Sequence, residues 1–227
     1  MLAFVNGPTI GRVTAETTHP STEPAAAERP RKRQARGERR IAQLLDAAGH
    51  VFAESGYAAT TTNAIAARAG VSPGSLYQYF PNKDAIAAAL AEFYADSLDE
   101  LLAPFAALDP AAVSLEAALG ASLGPIVRFH RDNPACLALF IGGNAPGHVM
   151  DLQAPLMART HARIEALLAL YAPELPAARL ETGAAVTLAA YKGVLPLLVE
   201  AEEERVPALT QELGDLLLGY FDRLLRP

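Results

Sequence analysis

Residues 60–83, TTTNAIAARAGVSPGSLYQYFPNK, carry the side chains whose types and spacing best suit a defined chemistry. Gly74, Ser75, Tyr77 and Gln78 fall on the outward side of a short helix, with Tyr79 on its flank; the inward stripe is Leu76 and Phe80, four apart. Short, hydrogen-bonding groups on a convex helical face allow close approach to base edges in a major groove, where bulky apolar groups are unwelcome. Lys83 opens the next helix beside Asn82, a good cap. A cation there opposes the helix dipole by a few tenths of a kcal/mol to about one, yet cation and free amides together make a phosphate site. The plainer reading of Lys83 is a solvated charge on an amphipathic helix.

The elements that must position these groups are marked locally. Thr61 or Thr62 caps a first short helix, in which Ile65 and Ala69 lie one turn apart on the buried side. Gly70 stands where that helix must stop, in the left-handed backbone that glycine takes cheaply. Val71 plugs the corner, and Ser72-Pro73 starts the second helix with a hydroxyl cap and a proline at its first position. Two helices joined by such a turn are a helix-turn-helix. Ahead of them, Ile41, Leu44, Leu45, Ala48 and Val51 or Phe52 form a helical stripe that Gly56 ends. Three short helices bury too little surface to stand by themselves. A helix from Asn82 to about Ala103 is therefore expected to complete their core with Ile86, Leu90 and Phe93, and Pro104 to break or kink it.

Residues 38–86 resemble the N-terminal domain of the TetR family of bacterial transcriptional regulators. The matches are the Ile41–Phe52 helix, Gly56-Tyr57, Thr61-Thr62, Ile65-Ala66, Ala69-Gly70-Val71-Ser72, Gly74-Ser75-Leu76-Tyr77, Tyr79-Phe80 and Asn82-Lys83-Asp84, in fixed order without a gap. The resemblance implies DNA contacts from Thr62, Ser72, Pro73, Gly74, Ser75, Tyr77, Gln78, Tyr79 and Lys83. It covers roughly a quarter of the chain; a long N-terminal extension departs from the family's layout.

The 227 residues are 51% hydrophobic but 7% aromatic, dominated by Ala and Leu, and no run of alternating β-branched residues argues for a strand. The expected fold is all-α, with about nine helices. The net charge of −6 divides unevenly: residues 29–90 hold nine bases and four acids (+5), residues 91–227 nine bases and eighteen acids (−9). A basic head on an acidic body concentrates attraction for a polyanion at one end. Residues 29–40, RPRKRQARGERR, read as a flexible arm in which Arg36 and Arg39 neutralise phosphates; the plain alternative is a solubilising tail. One cysteine, Cys136, permits no intrachain disulfide and suggests a reducing compartment. No apolar run reaches membrane-spanning length, so a soluble cytoplasmic protein without a membrane partner is expected.

Residues 1–35 are expected to be a disordered extension with a basic end, 36–83 the helix-turn-helix domain, and 84–227 a helical effector-binding and dimerisation domain. Within the last, helices are expected over Ser114–His130 (kinked at Pro125), Pro134–Ile141, Met150–Tyr171, Ala177–Val199 and Pro207–Leu225, with Gly142–Gly147 as a loop. That loop lacks the preceding strand and the spacing of a phosphate-binding motif. Ala185, Ala189 and Gly193 make a small-residue stripe, and Leu213, Leu217 and Tyr220 belong to a broad apolar face. The two final helices are read as a four-helix interface of a homodimer, as the family also uses, against the alternative of an internal core.

The expected function is a ligand-responsive regulator, a repressor released from a palindromic operator in double-stranded DNA by a small apolar effector. The resemblance implies a pocket beneath the helix that begins at Lys83; Phe93, Phe129, Met157 and Tyr191 are the lining candidates, each also explicable as core. No cofactor or metal is expected. Two rivals stand beside this. A protein of the same fold could bind a partner protein or membrane surface through its basic arm. An enzyme is disfavoured because the five histidines show no metal-binding spacing and Cys136 lies off the face of His130.

Overall fold

The computed structural model describes the backbone of residues 25–140 and 147–225, and the side chains of residues 36–137 and 154–225. Most of the extension expected to be disordered and most of the Gly142–Gly147 loop lie outside the described residues. Among the described residues there are nine α-helices, one 3-10 turn and no strand. They are α1 (Ala25–Ala59), α2 (Thr62–Arg68), α3 (Pro73–Tyr77), α4 (Lys83–Ala106), α5 (Leu115–Asp132), α6 (Pro134–Phe140), α7 (Gly147–Tyr171), α8 (Ala177–Glu200) and α9 (Val206–Leu224), with the 3-10 turn at Glu203–Arg205.

Residues 1–39 and 40–227 form separate compact units. In the first, the stretch from Ala25 is helical, where a flexible arm was expected; Ala, Arg, Lys, Gln and Glu are strong helix formers. In the second, α1 is interrupted at Gly56, whose φ of 70° and ψ of 167° are not helical, so the glycine stops the helix as expected. Thr61 caps α2 through its hydroxyl, which accepts from the Ala64 amide at 3.1 Å. At the other end the Gly70 amide donates to the Ala67 carbonyl and the Val71 amide to the Ala66 carbonyl, with Gly70 at φ 65°. That is a Schellman ending, and a Cβ at Gly70 would strain it. Ser72 and Asn82 cap α3 and α4 in the same manner as Thr61 caps α2.

One core cluster joins the helix-turn-helix to the helices beyond it. Leu44, Phe52, Ile65, Leu76 and Ile86 are fully buried in it, and it continues without a break through Tyr94 and Leu98 of α4 to Ala135 and Cys136 of α6 and Leu156 of α7. Each large apolar side chain in it contributes about 1.5–3 kcal/mol by leaving water. A second cluster packs α5, α7, α8 and α9 around Leu123, Leu168, Leu198 and Phe221.

Several expectations are corrected here. Pro104 does not end α4, which runs on to Ala106, although its ring forfeits the amide bond to the Glu100 carbonyl one turn back. Ile41 is 38% exposed rather than part of the buried stripe. Phe93 is 48% exposed on α4, the inward positions being Leu90, Ala91 and Tyr94. The helix α8 is, by length and composition, apolar enough to cross a membrane, which the sequence reading denied. In the fold α8 packs between α7 and α9.

Candidate nucleic-acid interface and effector cavity

The face opposite Leu76 and Phe80 is built from groups that donate and accept hydrogen bonds. Ser72, Pro73, Gly74, Gln78 and Tyr79 are exposed, Ser75 and Thr62 half-buried, and Tyr77 is 51% exposed. The Thr62 and Tyr77 hydroxyls lie 2.9 Å apart, which fixes the phenol over the start of α2. The Ser72 and Ser75 hydroxyls are 3.0 Å apart across the first turn of α3. The structure thus brings the candidate contacts of α2 and α3 onto one face. Arg36 and Arg39 are exposed residues of the other unit. Gln43, which the sequence did not single out, donates from its side-chain amide to the Ala69 carbonyl at 2.7 Å and holds α1 against the end of α2.

Lys83 is placed otherwise than expected. Its Nζ donates to the carbonyls of Tyr57 at 2.7 Å, Thr60 at 2.9 Å and Ala58 at 3.4 Å, and sits 4.4 Å over the Tyr57 ring. All three ammonium donors are engaged, so the side chain closes the turn after Gly56 onto the start of α4 instead of pointing to a phosphate. Tyr57 also donates to Asp84. Burial first, then that bond and the carboxylate's charge, push the phenol's pKa well above its ordinary range.

From this anchored end α4 runs to a cavity of ≈ 350 Å³ among α4, α5, α7, α8 and α9. Leu98, Leu102 and Phe105 of α4 form one wall; Leu119 and Ile126 of α5, Ile164 and Leu167 of α7, Leu188 of α8, and Phe221 of α9 supply others. Cavities of this size and apolar lining take small organic ligands. Of the four candidate lining residues, Met157 and Tyr191 are on its wall. Phe93 and Phe129 are not: Phe93 faces outward, and Phe129 packs edge-on between Tyr94 at 6.0 Å and His130 at 5.3 Å. His130, overlooked in the sequence, lines the cavity and is 4% exposed. Its ring lies 5.8 Å from that of Tyr191, completing a run of four rings from α8 to α4. At the end of that run the Tyr94 hydroxyl fits where Gly49 of α1 has no side chain; a Cβ there would be 3.2 Å from it. The cavity wall and the helix-turn-helix domain are therefore in contact through a short series of packed groups.

The wall is also clamped electrostatically. Asp99 accepts from Arg159 and Arg163, and Arg163 donates to the Ala95 carbonyl at 3.0 Å. The Arg163 bond foremost, with Arg159, holds the Asp99 carboxyl below its usual range despite partial burial. Cys136 lines the same cavity; burial pushes its thiol up to about 12, which keeps it neutral and a poor nucleophile. Among the described residues no group of His, Cys, Asp and Glu could hold a metal ion.

On the remaining faces of α8 and α9, Ala185, Ala189 and Gly193 are exposed beside Val186 and Leu197, and Leu216 is 53% exposed. Tyr220 is half-buried. Leu213 and Leu217 are corrected: at 2% and 3% exposure they turn into the subunit's own core, because α9 presents a wide apolar arc of which they form the inner side.

Residues 44–90 match the family model for bacterial regulatory proteins of the tetR family, and residues 114–221 match the tetracyclin repressor-like C-terminal domain. The HTH-type transcriptional activator FasR of Mycolicibacterium smegmatis is 44% identical over 75 residues, 33% of this chain and 34% of that protein. The match thus spans about a third of the curated relative's length. The fatty acid degradation regulator FadR of Bacillus halodurans superimposes with a TM-score of 0.62 at 19% identity, over 79% of this chain and 95% of the other. FadR of Bacillus subtilis, solved in complex with stearoyl-CoA, gives 0.57 at 16% identity, over 81% and 96%.

Proposed function

The chain belongs to the TetR family of transcriptional regulators, and on that premise we propose that it is a homodimeric repressor, released from a near-palindromic operator when an acyl-chain effector fills the cavity between α4 and α9. The observation that carries this is the unbroken core from Leu76 under the recognition face to Leu98 and Leu156 at the cavity wall. A wall residue of α4 cannot move outward without rotating a helix whose start is tied by Lys83 to the turn after α1. Two recognition helices set at a fixed separation fit two half-sites, so a small rotation of each α4 mismatches them to the operator.

The apolar lining supports an acyl chain, and the names of the FadR relatives point the same way. The exposed Val186, Leu197 and Leu216 beside the Ala185, Ala189 and Gly193 stripe support a two-fold four-helix interface; 28% of the apolar window of α8 is buried in the single subunit. Tyr77, Thr62, Gln78 and Tyr79 are assigned to reading bases, Ser72 and Ser75 to packing against the DNA backbone, and Arg36 and Arg39 to neutralising phosphates. A regulator of this kind acts in the cytoplasm, where the DNA is. FasR bears the name of an activator; whether release raises or lowers transcription follows from where an operator lies relative to its promoter. The test is release: long-chain acyl compounds should dissociate the protein from a selected duplex, and saturating acyl compound without effect on DNA binding would overturn the proposal.

A further inference from the structure

The lining of the cavity is apolar except for a few side chains, and the bonds of each can be followed. The Ser122 hydroxyl donates to the Leu119 carbonyl at 3.0 Å, Thr160 to Leu156 at 2.9 Å, and Thr187 to Gly183 at 2.7 Å, each along its own helix. The Cys136 thiol is neutral. His130 Nδ1 lies 2.9 Å from the Ile126 carbonyl oxygen and 3.1 Å from the Tyr191 hydroxyl, so ring and phenol engage each other. The carbonyl can only accept, which puts the proton of the neutral ring on Nδ1 and leaves Nε2 a lone pair without charge. Asp99 and Arg163 neutralise each other, and Arg163 also donates to Thr160 and to the Ala95 carbonyl.

Lys192 differs from all of these. It lines the cavity and is half-buried, yet among the described residues no hydrogen bond or ion pair engages its ammonium. Lys83 is the contrast, with its donors taken up by three carbonyls. On α8, Lys192 stands one turn beyond Leu188, on the flank by which that helix meets the cavity. A lysine so placed lays its methylenes along the apolar wall and keeps its charged end at the rim. The ammonium has three donors and no acceptor. Among the described lining residues it is the charge without a counterpart, and a charge held against apolar groups is costly unless paired.

We propose that Lys192 binds the ionised carboxylate of the effector, whose chain lies among Leu102, Ile126, Leu167 and Leu188. This rests on the cavity being the effector site. The effector class is thereby narrowed to the anion of a free carboxylic acid, as against a neutral ester or alcohol. One unpaired positive charge matches one carboxylate; a phosphate monoester brings a charge of about −1.5 to −2 at neutral pH, more than the lining meets. A volume of ≈ 350 Å³, at the lower end for small-molecule sites, suits a chain with a compact head.

The experiment measures binding of dodecanoate, dodecyl phosphate, dodecanol and methyl dodecanoate to the full chain and to Lys192→Met. Calorimetry below micelle-forming concentrations gives the affinities, with release of a selected duplex followed in parallel. Methionine keeps the length and the apolar stem. The substitution is expected to weaken dodecanoate at least about fivefold and to leave dodecanol and the ester within about twofold. The unsubstituted chain is expected to bind dodecanoate more tightly than dodecyl phosphate. Arg128→Gln removes a charge from the exposed side of α5, outside the cavity lining, and should leave every affinity within about twofold. A smaller loss for dodecanoate, an equal loss for the neutral probes, or the same loss in Arg128→Gln overturns the inference while leaving an acyl effector standing. Tighter binding of dodecyl phosphate overturns the assignment to a carboxylate. Absence of binding by every probe removes the effector reading itself, and the inference with it.

Discussion

Replacing Lys83 with Met separates two roles that its position would permit. The side chain keeps its length but loses donors to Tyr57, Thr60 and Ala58 and its contact with the Tyr57 ring. A hydrogen bond from a charged group contributes about 1.5–3 kcal/mol in full, and the cation–ring contact about 0.5–1 kcal/mol where partly exposed. Two of the three bonds are short, and the freed carbonyls regain some water. Removal of a cation from a helix start returns a few tenths of a kcal/mol. The net expected loss is about 2–3 kcal/mol, or roughly 4–12 °C in thermal midpoint for a chain of this size, compared at equal protein concentration. Operator affinity should fall, because the turn after Gly56 and the start of α4 lose their tie. The salt dependence should not change, since Nζ is committed to carbonyls and releases no counterion from DNA. An unchanged midpoint with a slope of log K against log salt reduced by about one would refute this and restore a direct phosphate contact.

The same geometry sets other outcomes. Leu197→Glu combined with Leu216→Glu should leave the helical signal intact but shift the sedimenting species to a monomer and weaken operator binding by about tenfold or more, since both side chains stand exposed on the face assigned to the dimer. Gly49→Ala gains about 0.5–1 kcal/mol of helix propensity but sets a methyl 3.2 Å from the Tyr94 hydroxyl, a crowding that costs about 1–3 kcal/mol; combining it with Tyr94→Phe should relieve the crowding, a coupling that a double-mutant cycle of denaturation midpoints measures. His130 is held below its ordinary pKa by burial, its bond to the Ile126 carbonyl opposing weakly. The unfolded chain therefore takes up a proton near pH 6.5 that the folded chain refuses, so this stability is present above about pH 6.5 and declines as pH falls below it. His130→Phe should flatten that decline between about pH 7 and 5 in urea melts; equal slopes would count against it.

The helix-turn-helix was legible because its signals are local. Thr61, Gly70, Ser72-Pro73 and Asn82 each act on backbone groups within three or four residues, and the structure shows those caps and that turn where the sequence placed them. The partners of Lys83 lie 23 to 26 residues away, and nothing in the local pattern announces them. The cavity was harder for a different reason. Its walls are Leu and Ile at helical spacing, the same residues that fill a solid core, and α4 is apolar on more than one side. Phe93 and Tyr94 are neighbours on that helix; one is half-exposed and the other buried, and choosing between them requires knowing where α1 and α6 lie. His130 carried a usable signal, an imidazole inside an apolar stripe, but one that plain core packing also explains. The burial of Leu213 and Leu217 came from the width of the apolar face of α9, too broad for the sequence to say which edge meets its own subunit.

Selection of bound fragments from random duplex DNA by the purified protein, at near-physiological salt, tests the central claim most directly when each recovered fragment is challenged with a long-chain acyl compound. The expected result is one near-palindromic motif, half-sites about one helical turn or more apart, and loss of binding on addition of the acyl compound. Binding that is salt-sensitive but sequence-blind, or no binding from a folded dimer, would contradict it.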